Sequence, residues 1–246
     1  MTQERPKKLA KSVALCVTCI VDQVMPEIGV ATVKLLRRAG CEVAFPAEQS
    51  CCGQPFFNSG FREEAKRLAK QTIATFEQYE TVVLPSGSCT AMIRKEYAHL
   101  LEDEPDWCRQ ARQLGAKTYE LSEFLCHQDD PLLPTASQTR TVTYHDSCHM
   151  CRLLGLREEP RELLSAVNYK MVEMKESDRC CGFGGLFSIR MPEVSNAMTS
   201  EKLRQARECA TTLVTADPGC LMQMRGLADE TIRVEHLATI LEEATR

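Results

Sequence analysis

The chain has 246 residues, a formal net charge of -4 and 14 cysteines. This length is enough for one large or two small domains with a buried core. The balance of 30 basic and 34 acidic residues gives no general basic surface for nucleic acid. No apolar run approaches the roughly 20 residues of a membrane-spanning helix, which leaves only peripheral association with a membrane open.

The amino-terminal segment predicts a cytoplasmic protein. It opens with charged residues, and its apolar run at 13–17 is too short for a secretory signal. Because thiols are kept reduced in the cytosol, structural disulfides do not explain so many cysteines. Metal binding, redox chemistry and buried packing remain as explanations.

Short β-rich segments alternate with helical patterns along the chain. In the first half, strands are expected at 12–17, 41–45 and 81–84, and helices at 26–38, 61–76 and 92–97. The second half repeats this order, with strands at 141–144, 169–174 and 213–216 and helices near 161–166 and from Pro192. The alternation predicts an α/β fold of two tandem, similar units with parallel sheets. The units are expected at 1–128 and 141–246, joined by a Pro-, Ser- and Thr-rich linker at 129–140.

Four cysteines recur in each half in the same order. They are Cys19, Cys51, Cys52 and Cys89 in the first half, and Cys148, Cys180, Cys181 and Cys220 in the second. The offset is 129 from Cys19 to Cys148 and from Cys51 to Cys180, and 131 from Cys89 to Cys220. Cysteines that only fill a core would not keep this register, so the pattern indicates an internal duplication.

Each repeated cysteine follows a predicted strand, where open α/β sheets place their sites. Four thiolates from three loops are the ligand count of a [4Fe–4S] cluster or of tetrahedral zinc. We therefore predict all eight as cofactor-binding and metal-ligating residues, for one or two clusters per chain or for zinc in one site. Gly53 and Gly182 would let each adjacent pair turn toward one site.

The segments VTCIVDQVMPEIGVATVKLL, CCGQPFFNSG, YHDSCHMCRLLGL and MKESDRCCGFGGLFSIRMPEVS carry a family resemblance. They resemble the lactate utilization protein A (LutA/LldE) family, a cysteine-rich CCG-domain family related to the CCG-containing component of heterodisulfide reductase. The resemblance implies an iron–sulfur electron-transfer subunit, with [4Fe–4S] clusters, of a cytoplasmic complex that oxidises L-lactate to pyruvate. The implied partners are a LutB-like ferredoxin-type iron–sulfur protein and a LutC-like protein.

The chain departs from the heterodisulfide reductase pattern at one point. In that group the last cysteine belongs to a C-x-x-C, which gives five ligands for a noncubane cluster. Here Met92 and Gln223 stand where the second cysteine would be. Four thiolates per half therefore favour an ordinary cubane cluster.

Two other functions remain open from the sequence. One is a zinc-stapled structural or interaction subunit. The other is a thiol–disulfide oxidoreductase that uses the vicinal pairs Cys51–Cys52 or Cys180–Cys181, since a strained disulfide is labile. No residue is identified as catalytic.

The remaining cysteines are interpreted as buried packing, because free cysteine is among the most buried residue types. They are Cys16, Cys41, Cys108, Cys126, Cys151 and Cys209. Of these, Cys16 and Cys151 are the better candidates for a role, since each lies three residues from a predicted ligand. For His145 and His149, which flank Cys148, a hydrogen bond that fixes the loop is favoured over a ligand or proton relay.

Overall fold

A computed structural model describes residues 12–128 and 139–246. The elements of the first unit are, in chain order, β1 (Ser12–Leu15), α1 (Cys19–Val24), α2 (Pro26–Arg38), β2 (Glu42–Ala44), α3 (Gln54–Asn58), α4 (Arg62–Phe76), β3 (Val82–Leu84), α5 (Gly87–Ala91), a π-helical turn (Met92–Glu96), α6 (Tyr97–Leu100), α7 (Pro105–Ala116), β4 (Thr118–Glu120) and α8 (Leu121–Cys126). The elements of the second unit are β5 (Arg140–Tyr144), a second π-helical turn (His149–Leu154), α9 (Glu158–Ala166), β6 (Tyr169–Met171), α10 (Leu186–Arg190), α11 (Pro192–Arg207), β7 (Thr212–Thr215), α12 (Pro218–Leu227), β8 (Arg233–His236) and α13 (Leu237–Ala244). Of the linker predicted at 129–140, residues 129–138 lie outside the described residues, and Arg140 is the first residue of β5.

Both units contain a four-stranded parallel sheet with the same strand order. The order is β2-β1-β3-β4 in the first unit and β6-β5-β7-β8 in the second. Each neighbouring pair of strands is parallel, which confirms the predicted α/β fold of two similar units. In this order the connections leave β1 and β3 toward opposite sides and open a crevice between the carboxyl ends of the strands, where α/β sheets place ligands.

The long periodic helices follow the sequence pattern closely. The helix predicted at 26–38 is present with the same bounds, and Pro26 occupies its first turn, where no backbone N–H is needed. The stripe predicted at 61–76 is α4, which buries Ala65, Ala69, Ile73 and Phe76. Several elements were not predicted, and they include the 12-residue helix α7, the 10-residue helix α12 and the shorter elements α1, β4, α8, β8 and α13. No helix within 12–128 or 139–246 is long and apolar enough to cross a bilayer.

Alternate residues of β1 contribute to two different cores. Val13 and Leu15 join a core formed by residues of both units, whereas Ala14 and Cys16 join a second core that lies within the first unit. This follows from the two-residue period of a strand, which sends successive side chains to opposite faces. The two units therefore share one hydrophobic core.

Equivalent helices pack the two units together. Helix α2 packs against α13, and α9, the counterpart of α2, packs against α8, the counterpart of α13. Lys34 and Arg38 of α2 also approach the Glu242 carboxylate of α13, at 3.3 and 3.5 Å. The same helix pairing therefore occurs twice between the units, once in each direction.

Shared burial predicts that the two units unfold together. Leu35 of α2 is fully buried in the shared core, so Leu35→Ala is expected to lower the free energy of unfolding by about 2–5 kcal/mol. Val30→Ala on the same helix is the matched control, because Val30 is 55% exposed, and it should change that free energy by about 0.5 kcal/mol or less. Urea unfolding of the metal-free chain, followed by circular dichroism, measures both. Two separate transitions, or equal effects of the two variants, would contradict the shared core.

Candidate metal centre

The first four repeated cysteines lie at the carboxyl edge of the first sheet. Cys19 begins α1 after β1, Cys51 and Cys52 lie between β2 and α3, and Cys89 lies in α5 after β3. The Cys19 and Cys51 sulfurs are 3.5 Å apart, and those of Cys52 and Cys89 are 3.4 Å apart. Segments far apart in sequence thus bring four thiols to one place.

The second four occupy the equivalent edge of the second sheet. Cys148 follows β5, Cys180 and Cys181 follow β6, and Cys220 lies in α12 after β7. The Cys181 and Cys220 sulfurs lie within 4.8 Å of each other and of a ring nitrogen of His145. The duplication seen in the sequence is therefore a duplication of geometry.

A glycine shapes the turn after each adjacent pair. Gly53 and Gly182 have φ of +84° and +94°, a region that residues with a Cβ rarely adopt. In this conformation the Gly53 amide lies 3.4 Å from the Cys51 sulfur, and the Gly182 amide lies 3.4 Å from the Cys180 sulfur. Both turns thus point a backbone N–H at the first sulfur of the pair.

One aspartate connects the two sets. The Asp217 carboxylate accepts hydrogen bonds from the Gly219 and Cys220 amides at 3.1 and 3.4 Å and thereby caps α12. Its other oxygen accepts a hydrogen bond from the Ser88 amide of the first unit at 2.7 Å. Because Ser88 precedes Cys89, this carboxylate fixes the segments that carry Cys89 and Cys220 relative to each other.

The two sets of cysteines face a single cavity between the units. All eight line it, together with apolar residues such as Ile20, Pro55 and Phe183. His149 lies at the junction, with Nδ1 3.5 Å from the Cys148 sulfur and Nε2 3.0 Å from Gln54 Nε2 of the first unit. The sequence indicated two sets but gave no sign that they would share one cavity.

Hydrogen bonds make one thiol of the first set acidic. The thiols of Cys19 and Cys52 and the Gly53 amide all favour the Cys51 thiolate and lower the pKa of Cys51 far below its ordinary value. The same contact raises the pKa of Cys19, because Cys19 is the donor. A thiolate within a cluster of thiols is the form of cysteine that binds soft metals.

The thiols of the second set are less acidic than that of Cys51. A hydrogen bond from the Cys181 thiol lowers the pKa of Cys220, but burial together with the negative charges of Asp217 and the neighbouring cysteines outweighs it and raises that pKa to about 11. The side chain of Lys202 is fully buried beside this set and donates to the carbonyls of Glu176 and Ser177. Burial lowers the Lys202 pKa to about 8, while the negative charge of a nearby Cys181 thiolate would raise it. Gly53 faces Ala65 of α4 and Gly182 faces Ser195 of α11, which matches Lys202 with the uncharged Thr72.

The other six cysteines divide into two groups. Cys16, Cys41 and Cys108 are buried, as the packing interpretation predicts. Cys126, Cys151 and Cys209 are only partly buried, which the packing interpretation does not predict. None of the six lines the cavity.

Cys16 and His145 occupy equivalent positions that the sequence comparison missed. Each directly follows the first strand of its unit, and they are 129 residues apart, the offset of Cys19 and Cys148. The backbone N–H of Cys16 donates to Val83 at 3.0 Å, and that of His145 donates to Val214 at 2.8 Å. The offset itself would have revealed the pair, but a search for matching cysteines does not detect a cysteine replaced by histidine.

The donor set at this cavity fits a metal cluster. Each unit presents four sulfurs from three loops, with a backbone N–H directed at one of them, as in protein sites for iron–sulfur clusters. Apolar side chains form much of the lining, and none of the cysteines, all of which lie within the described ranges, forms a disulfide. These features also suit tetrahedral zinc, whose structural sites use the same ligands.

Comparison with known proteins identifies the family. The cysteine-rich domain family named CCG matches residues 13–94 and again residues 142–225. The chain is 46% identical over 234 residues to lactate utilization protein A of Bacillus subtilis (strain 168), an alignment that covers 93% of this chain and 98% of that protein. The chain belongs to the lactate utilization protein A family.

Other comparisons agree with this assignment. Lactate utilization protein A of Halalkalibacterium halodurans is 46% identical over 239 residues, which cover 95% of this chain and 98% of that protein. The crystal structure of a hypothetical protein from Helicobacter pylori has a TM-score of 0.62 at 10% identity, a likeness that shows the fold alone. The match covers 98% of this chain and spans half the length of that chain.

The glycine turns predict unequal effects of alanine in the two units. A Cβ at Gly182 would lie 2.4 Å from the Ser195 carbonyl oxygen, whereas one at Gly53 would lie 3.3 Å from the Ala65 carbonyl oxygen. Positive φ alone costs an alanine about 1–3 kcal/mol, so Gly182→Ala should lower the free energy of unfolding by more than that, and by more than Gly53→Ala. Chemical unfolding of the chain after its metal has been removed with a chelator measures the loss of unfolding free energy for both variants.

The control for this comparison is Gly226→Ala. Gly226 lies in α12 with no atom within 4 Å of a Cβ, so alanine there should be neutral or stabilise by up to about 1 kcal/mol. Equal losses for Gly53→Ala and Gly182→Ala would show that the contact with Ser195 does not constrain the turn.

Proposed function

We propose that this protein is the iron–sulfur electron-transfer subunit of a cytoplasmic complex that oxidises L-lactate to pyruvate. The observation that carries the proposal is the convergence of two matched sets of four cysteines on one cavity. Membership of the lactate utilization protein A family supports lactate as the substrate of the assembly. We propose as its partners a LutB-like ferredoxin-type iron–sulfur protein and a LutC-like protein.

In this proposal each set holds one [4Fe–4S] cluster. Cys19, Cys51, Cys52 and Cys89 would hold the first, and Cys148, Cys180, Cys181 and Cys220 the second. Such clusters accept and donate single electrons, whereas oxidation of lactate to pyruvate releases two electrons and two protons. A subunit with two one-electron sites in one cavity suits a complex that must divide that electron pair.

The chain itself would tune and protect these sites. The Gly53 and Gly182 amides each approach a sulfur and would stabilise added negative charge, which raises a reduction potential. The Lys202 ammonium, buried near Cys181, would add to this effect in the second unit only. Apolar side chains such as Phe183 would limit the contact of the sulfurs with water. We therefore propose that the second site has the higher potential.

A zinc-stapled interaction subunit is the second candidate, and the sulfur spacing favours it. Tetrahedral zinc with bonds of about 2.3 Å separates its sulfurs by about 3.8 Å. The two measured separations in the first unit, 3.5 and 3.4 Å, are close to that value. This alternative predicts zinc at the same thiolates and no visible absorption.

Metal analysis separates the two candidates. The protein is purified anaerobically from cells that make all three partners, and its iron, acid-labile sulfide and zinc are measured, with EPR spectra of the reduced form. We expect iron and sulfide in equal amounts and a cluster EPR signal. Full occupancy by zinc, without iron, would contradict the proposal and support the zinc alternative.

Substitution of one ligand provides a sharper test. Cys181→Ser should remove the second cluster and so about half of the iron and sulfide, and it should lower lactate-dependent electron transfer by the complex. Cys209→Ser is the matched control, because Cys209 lies outside the cavity, where its thiol donates to the Glu173 carbonyl at 3.5 Å. Unchanged iron content and turnover in Cys181→Ser would contradict the assignment of Cys181.

A further inference from the structure

His145 is a buried side chain whose ring nitrogens are poorly satisfied. It is 1% exposed, and neither ring nitrogen makes a hydrogen bond of good geometry among the described residues, although the Ser177 backbone lies close to the ring. An unsatisfied buried polar group costs about 1–3 kcal/mol, so native proteins rarely keep one without a function. The two nitrogens of His145 therefore need an explanation.

The surroundings of the ring provide one. A ring nitrogen of His145 and the sulfurs of Cys181 and Cys220 all lie within 4.8 Å of one another, and all three residues are buried. Donors bound to one metal ion at about 2.0–2.3 Å lie between about 3 and 4 Å apart, and ligands of different irons in one cluster lie farther apart, so these three donors are close enough to serve one metal centre. An imidazole and two thiolates are a donor set that iron and zinc both accept.

The repeat independently places His145 in the site. Its counterpart is Cys16, which packs in the core of the first unit beside Cys52 and Cys89. Each unit therefore has a potential metal donor directly after its first strand, below the adjacent cysteine pair. The donor is a thiol in the first unit and an imidazole in the second.

A structural role explains the burial of His236 but does not explain that of His145. His236 is also fully buried, and its Nδ1 accepts a hydrogen bond from the Ala238 amide that caps α13. Neither ring nitrogen of His145 accepts a comparable bond from a backbone amide of the described residues. A neutral imidazole nitrogen can donate its lone pair to a metal.

We propose that His145 supplies a ring nitrogen to the metal centre of the second unit, beside Cys181 and Cys220. The inference rests on the proposed function in so far as the thiolates of the second unit hold a metal, but it does not depend on which metal that is. It makes the two sites chemically different, with sulfur donors only in the first and a mixed nitrogen and sulfur set in the second.

X-ray absorption of the bound metal tests this inference. The full chain carrying Cys51→Ala and Cys52→Ala is purified anaerobically, so that the remaining metal lies in the second unit. We expect sulfur scatterers at about 2.3 Å, one nitrogen at about 2.0 Å and the outer-shell scattering of an imidazole, which bound water does not produce. In this background His145→Ala should remove the imidazole scattering, and it should lower the metal affinity by about 10- to 100-fold.

Two further variants complete the experiment. His149→Gln should keep the imidazole scattering, because His149 is the neighbouring histidine that approaches Cys148 instead. His145→Cys should retain the metal with sulfur scatterers only, which excludes misfolding as the cause of a loss. Two outcomes would overturn the inference and leave the proposed function intact. One is a shell of sulfur scatterers only in the Cys51→Ala, Cys52→Ala chain that still has His145. The other is imidazole scattering that persists after His145→Ala. Zinc with the imidazole shell would overturn the iron–sulfur proposal and support the role of His145.

Discussion

The hydrogen bonds of one carboxylate, that of Asp217, organise the centre of this molecule. With one oxygen Asp217 caps the helix that carries Cys220, and with the other it holds the amide that precedes Cys89 in the other unit. Without this link each sheet would still present four thiols at its carboxyl edge, as the strand order requires. The link ties the two edges together at the cavity that all eight cysteines line.

The duplication is close in backbone and unequal in chemistry. Strand order, the turns at Gly53 and Gly182, and the helix pairs between units all repeat. The residues around the sulfurs differ between the units. The second unit has His145 where the first has Cys16, and Lys202 where the first has Thr72. Only the second change alters charge, because the Lys202 ammonium replaces a neutral hydroxyl. In the proposed function this charge would make the reduction potentials of the two sites unequal.

Much of this could be predicted from the sequence, and the exceptions have physical reasons. The offset of 129 between the repeated cysteines located the loops that carry them. The 3.6-residue period of the apolar residues predicted α2 with its observed bounds. Elements such as β4 and α1 are three to six residues long and carry too little periodic signal. The shared cavity depends on how α2 packs against α13, a contact between residues some 200 apart that no local pattern encodes. His145 and Cys16 are also 129 residues apart, but their correspondence was missed because the two residue types differ.

In the proposed function, electrons from lactate pass through the cysteine sites of this chain. This passage can be followed by loading only this subunit with ⁵⁷Fe, assembling it with its unlabelled partners, and adding L-lactate without oxygen. EPR then shows which subunit holds the electrons, because ⁵⁷Fe broadens the signal of its own cluster. We predict that lactate produces a signal with ⁵⁷Fe broadening. A signal without broadening, from an assembly in which this subunit has retained its iron, would contradict the claim.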